Sequence, residues 1–238
     1  MALFTKIYSL ISRLYQYDSV KRIKSAFRPF KHILFGREGI YAVVERAKAL
    51  SGQRGREIAN VFDIGAAVGD TAESFLKEFP LAEIYCFEPL PDSFSRLQKR
   101  VGKHGKVHLF NLGLSNASGE AKFYVVPYRD SSSMIPPVNI GVSAEKEISV
   151  PVRRLDDVVC ELGVSHIDFM KVDVEGAEKE MLEGAKESLK ITDHVFIEIS
   201  PLRKGKHSRD YIDVFGYLHD SGFSLAGIYS DFFFTKLL

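Results

Sequence analysis

Cysteine is scarce in this chain of 238 residues, there is almost no net charge, and no apolar run reaches 18 residues. Each shortage excludes something. The two cysteines are too few for a disulfide scaffold and have no metal-type spacing. Cys86 lies in an apolar run and Cys160 in a helical pattern, so both read as packing residues of a protein in a reducing compartment. A membrane-spanning helix needs about 20 apolar residues in a row, and none is predicted. The first residues also lack the long apolar core and small-residue cleavage site of a signal peptide. With 32 lysines and arginines against 31 acidic residues, the net charge is +1. No bulk field therefore points to nucleic acid. The sequence predicts a cytoplasmic protein with no nucleic-acid partner.

What charge there is lies unevenly. Residues 1–57 hold 12 basic and 4 acidic residues, and residues 58–238 hold 20 and 27. This predicts a basic helical extension (1–57) ahead of one domain (58–238). In the extension, Leu3, Phe4, Ile7, Tyr8, Ile11, Leu14 and Tyr15 fall at helical spacing, and Lys21, Arg22, Lys24, Arg28 and Lys31 follow. Two readings stay open for residues 1–50: peripheral contact with an anionic membrane surface, or docking on the body or a second copy as a homo-oligomer. A second helix is predicted from Gly39 to Leu50.

The body alternates. Apolar strands around Val61–Ile64, Ile84–Phe87 and Val107–Leu112 are separated by helical faces (Phe75, Leu76 and Phe79, then Phe94, Leu97 and Val101). Such β-α-β-α-β order predicts a parallel sheet with helices on both faces. Residues 115–154 break the rhythm with two strand-like runs around a polar loop, Arg129–Gly141, suited to covering a substrate entrance. Alternation resumes with strands at Ile167–Val172 and His194–Ile199, and Phe223–Ile228 with Phe232–Thr235 read as a closing antiparallel pair.

The chemistry centres on the first strand and its turn, Val61-Phe-Asp-Ile-Gly-Ala-Ala-Val-Gly-Asp-Thr71. Strand, glycine turn and helix start form an adenosine-cofactor site at the carboxyl end of an α/β sheet. Gly65 and Gly69 would let the ligand lie against bare backbone. The G-x-G-x-x-G of a dinucleotide site is absent, which disfavours a nicotinamide oxidoreductase. Glu88 ends the second strand, where a carboxylate can accept hydrogen bonds from two ribose hydroxyls.

Five stretches in order, Val61–Thr71, Phe87-Glu-Pro89, Leu114-Ser115 with Gly119-Glu120, Arg154-Leu-Asp-Asp157 and Lys171-Val-Asp-Val-Glu-Gly-Ala-Glu178, resemble the FkbM family of S-adenosyl-L-methionine-dependent methyltransferases. The resemblance runs from about residue 58 to the C-terminus. It implies a class I methyltransferase, Rossmann-like fold: a seven-stranded, mostly parallel sheet with the last strand antiparallel. It also implies O-methylation of a hydroxyl on a sugar, glycan or natural-product metabolite (EC 2.1.1.-). Carried over by position, Asp63, Gly65, Ala67 and Gly69 would cradle the donor, Glu88 would hold its ribose, and Leu112 and Gly113 would border the adenine. The family commonly carries Asn where Ala67 stands. A non-catalytic cofactor-binding or scaffolding role on the same fold is the alternative.

Asp173 and Glu175 follow the fourth strand, where the acceptor should lie, and strand alternation would turn both carboxylates to one side. Either could take a proton from the acceptor hydroxyl. No metal is expected; Asp173, Glu175 and Glu198 are the oxygen ligands that Mg²⁺ would use. His166 precedes the fourth strand and reads as structural. Lys204–Arg209 reads as a solvated basic loop.

Overall fold

A computed structural model describes residues 37–125, 132–133, 146–199, 210–228 and 231–237. The helix predicted over residues 3–15, its basic sequel, residues 204–209 and most of 127–147 lie outside these. The first described element, α1 (Arg37–Gln53), contains the predicted 39–50 pattern and buries Val43, Val44 and Ala47.

The chain then runs β1 (Asn60–Ile64), α2 (Asp70–Glu78), β2 (Glu83–Phe87), α3 (Pro91–Val101), β3 (Val107–Phe110), β4 (Gly113–Leu114), β5 (Gly119–Val125), β6 (Ser132–Ser133) and β7 (Lys146–Arg153). After them come α4 (Leu155–Leu162), β8 (Ile167–Val172), α5 (Glu178–Glu183), a 3₁₀ turn (Ser188–Ile191), β9 (Thr192–Ile197), α6 (Asp210–Asp220), β10 (Phe223–Ile228) and β11 (Phe232–Lys236). Seven strands form the main sheet in the order β10-β11-β9-β8-β1-β2-β3. The run from β9 to β3 is parallel, and β11 is antiparallel to both of its neighbours. This is the α/β sheet predicted from the sequence.

Parallel central strands are buried on both faces, and every residue of β8 and β9 is buried. On one face, α1, α2 and α3 place Val43, Phe75 and Leu97 against Val61, Ile84 and Phe169. On the other, α4, α5, the 3₁₀ turn and α6 place Leu155, Met181, Leu189 and Val214 against Phe62, Met170 and Ile197. Phe75 meets Phe169 edge-on, ring centres 5.6 Å apart. Each fully buried large side chain contributes roughly 1.5–3 kcal/mol, so the two cores hold the sheet's carboxyl edge rigid.

Two details differ from the sequence expectation. The third strand stops at Phe110 because Asn111 donates its side-chain amide to the carbonyls of Glu88 (2.8 Å) and Pro89 (3.1 Å), turning the chain off the sheet. Gly113–Leu114 then joins β7, and the runs at 115–154 form a second sheet, ordered β4-β7-β5-β6. The apolar spacing of Ala177, Met181, Leu182, Ala185 and Leu189 predicts one helix, and the structure breaks it in two. Gly184 packs so closely on the Ser115 carbonyl that a side chain would overlap it. The Asp156 carboxylate accepts from the N–H groups of Glu187 (3.0 Å) and Ser188 (2.8 Å), starting the 3₁₀ turn.

Candidate active site

The site begins where β1 ends. Gly65, Ala67 and Gly69 all have left-handed backbones, φ 80°, 48° and 91°, and the N–H groups of Gly65 and Ala66 both donate to the Phe87 carbonyl at 3.0 Å. The turn is thus stitched to the end of β2. The two glycines also admit neighbouring pieces of chain. A Cβ on Gly65 would overlap the Asp173 carbonyl, and one on Gly69 would meet Leu97 Cδ1 at 2.9 Å. Each missing side chain makes room for another piece of chain.

A cleft open to solvent lies over the carboxyl ends of β1, β2 and β8. Gly65, Ala67, Glu88, Leu112, Gly113, Asp173 and Glu175, all predicted site residues, line it, with Phe87, Leu90, Leu114, Phe123 and Val174 among the apolar walls. Phe123 arrives from β5, so the second sheet closes one side. Asp63 and Gly69 are not among the lining residues. Asp63 is fully buried in the core beneath, and Gly69 is the N-cap of α2.

Glu88 is 5% exposed. One carboxylate oxygen accepts the Ala67 N–H and the other the Leu90 N–H, each at 2.9 Å. Burial pushes its carboxyl up, against the pull of those two hydrogen bonds and of Lys171. A carboxylate offers about four acceptor sites. Two are used in fixing its plane. The contact at position 67 is therefore a backbone N–H, which any residue except proline supplies. An asparagine there would suit the left-handed backbone, but the bond to Glu88 does not need its side chain.

Lys171 was missed in the sequence. Its signal was visible: one lysine inside the apolar strand Ile167–Val172. Only 8% exposed, its ammonium donates to the Gly65 carbonyl at 2.9 Å and lies 3.4 Å from Asp63 and 3.3 Å from Asp173. Burial pulls the ammonium down, but Asp173 and Asp63 outweigh it and hold Lys171 above its usual range. Asp63, with no full hydrogen bond to either oxygen, is pushed up by burial while Lys171 pulls against it.

Asp173 and Glu175 both reach the cavity, but not by strand alternation. β8 ends at Val172, and Glu175 turns through a left-handed backbone, φ 52°. Such strain in a non-glycine residue costs about 1–3 kcal/mol and clusters at functional sites. Neither residue caps α5, whose N-cap is Ala177.

Among the described residues, Asp173, Glu175 and Glu198 do not close into a group of metal-ligand geometry. The group that does is His166, Asp168 and Asp193, at the opposite end of the strands. There Arg54 and Arg56 lie 3.4 and 3.3 Å from Asp193, and Asp168 accepts the N–H groups of Ala59 and Asn60. Cations and amides of the chain already satisfy that cluster, which ties the β1 entry to β8 and β9. His108 and His194 meet Glu83 (2.7 Å) and Ser51 (3.1 Å). Among the described residues, no helix is long and apolar enough to cross a membrane.

Several known proteins similar to this chain are named as methyltransferases. The chain is 33% identical over 152 residues to the 2-O-methyltransferase NoeI of Sinorhizobium fredii, covering 59% of this chain and 63% of that protein. It is 30% identical over 140 residues to the hexuronic acid methyltransferase AglP of Haloferax volcanii, covering 58% and 55%. It is 27% identical over 157 residues to the 31-O-demethyl-FK506 methyltransferase FkbM of Streptomyces tacrolimicus, covering 54% and 60%. The chain thus spans less than two thirds of the length of each. The methyltransferase FkbM domain matches residues 63–225, from the buried aspartate of β1 into β10, and the chain belongs to that family.

Proposed function

We propose that this protein is an S-adenosyl-L-methionine-dependent O-methyltransferase acting on a hydroxyl of a sugar, glycan or natural-product metabolite. The observation that carries the reading is the Glu88 carboxylate, fixed by two backbone N–H groups at the cavity wall with acceptor capacity to spare. A ribose presents two adjacent hydroxyls to such a group. Phe87, Leu90, Leu112 and Phe123 offer apolar surface beside it, suited to an adenine ring. When bound, S-adenosylmethionine supplies a methyl group on a cationic sulfur that leaves as a neutral thioether. The chain's own part is to hold donor and acceptor in line, which carries much of the rate, and to take the hydroxyl proton on a carboxylate of the 173–175 turn.

The acceptor class rests on the family and on the relatives' names, one of which specifies a hexuronic acid and two of which specify an oxygen position. The test is a binding measurement with S-adenosylmethionine, then transfer of labelled methyl to a panel of glycosides, uronic acids and polyketide alcohols. Binding together with label on an oxygen of one panel member is the expected result. No binding, or binding with label on none, overturns it.

A further inference from the structure

Lys171 has no role in the reading above, yet it lies where the two halves of the site join. Its ammonium reaches the Gly65 carbonyl at the end of β1, on the donor side, and the Asp173 carboxylate just past β8. The two carboxylates it serves differ in access. Asp63 is sealed in the core, whereas the Asp173 side chain is 28% exposed and on the cavity wall. The backbones are locked in register as well, since the Asp173 N–H donates to the Ile64 carbonyl at 3.0 Å. Glu198 adds its field to the same ammonium.

We infer that Lys171 is a positioning residue: it pins the Asp173 carboxylate beside Gly65 as the anchor for the cationic end of the methyl donor, leaving Glu175 to take the acceptor's proton. One buried cation cannot saturate two carboxylates. Asp63 takes its share in the core, and the acceptor capacity left on Asp173 faces the cavity, where an ammonium or sulfonium group can meet it. Glu175, two residues on, stands beyond this clamp. In the transfer the acceptor oxygen gains the methyl carbon, the carbon–sulfur pair stays on sulfur, and the hydroxyl proton passes to Glu175.

The inference rests on the proposed function and can fail separately from it. The full chain is titrated calorimetrically with S-adenosylmethionine and, in parallel, melted. Asp173→Asn should weaken binding at least tenfold, and Glu175→Gln by less than twofold. Lys171 is tested as D63N/K171M, because neutralising both partners of a buried pair costs far less than stranding one. That variant should weaken binding at least tenfold, and adding Asp173→Asn to it should weaken binding no further, as residues acting through one another are non-additive. A merely structural lysine would give additive losses that follow the melting temperature, and this overturns the inference. If D63N/K171M does not fold, the single variants decide. Full affinity in Asp173→Asn overturns it, and a loss confined to Asp173→Asn upholds it. Failure of the unmodified chain to bind the donor overturns the proposed function as well.

Discussion

Gly65 and Asp173 meet backbone to backbone: any side chain on Gly65 would overlap the Asp173 carbonyl oxygen. The turn after β1 and the turn after β8 are thereby pressed into one wall, with Lys171 bonded to the Gly65 carbonyl across the seam.

Gly65→Ala should therefore damage stability and binding together. Overlap with backbone cannot be relieved by a rotamer change, and the left-handed φ of 80° adds its own cost. Overpacking at about 1–3 kcal/mol plus about 1–2 kcal/mol for the backbone predicts a melting temperature lower by roughly 5–15 °C in a chain of this size. Thermal unfolding checks it, and an unchanged midpoint would mean that the two turns are not in contact.

Position 67 makes the opposite prediction. Ala67 is left-handed without being glycine, φ 48°, and its contribution to Glu88 is its N–H. Ala67→Asn keeps that bond and suits the backbone better, so stability should rise by a few tenths to about 1 kcal/mol with donor affinity retained. Ala67→Pro removes the N–H and imposes a negative φ, so affinity should fall about tenfold or more. Equal behaviour of the two variants would detach Ala67 from the site.

Acid should destabilise the protein through His194. It is fully buried, with Nε2 on Ser51 and Nδ1 without a partner, and burial pulls its pKa from 6.5 to about 4, Asp193 opposing and Arg54 assisting. Above pH 6.5 the ring is neutral in both states. Between 6.5 and 4 the unfolded chain binds a proton that the folded chain refuses, so stability falls as pH falls and levels off below 4. At about 1.4 kcal/mol per pH unit this amounts to roughly 3 kcal/mol. Urea melts at pH 7.5 and 4.5 should show His194→Gln losing less than the unmodified chain, since titration of the acidic residues is common to both. Equal losses would remove His194 as the cause.

Much of this was legible in the sequence because it is periodic or local. Alternating apolar runs gave the parallel sheet, and the Phe223–Ile228 and Phe232–Thr235 pair gave its antiparallel end. The place of Glu88 at a strand tip was readable as well. What was hidden depends on distant pieces of chain. Gly65 and Gly69 are legible as a glycine turn, but the close approach of Asp173 and Leu97 to them is not. The pairing of buried Asp63 with Lys171 depends on the register of β1 against β8. The break at Gly184 depends on Ser115, and Phe123 enters the cavity wall only because β5 and β7 pair into a separate sheet.

The central claim is that Glu88 clamps a ribose, and one titration tests it most directly. The full chain and Glu88→Ala are titrated with S-adenosylmethionine by calorimetry, with a thermal melt of each to confirm folding. A charge-assisted hydrogen bond is worth about 1.5–3 kcal/mol, so the variant should bind roughly 10- to 150-fold more weakly. A folded Glu88→Ala variant that binds the donor as tightly as the unmodified chain would contradict the account.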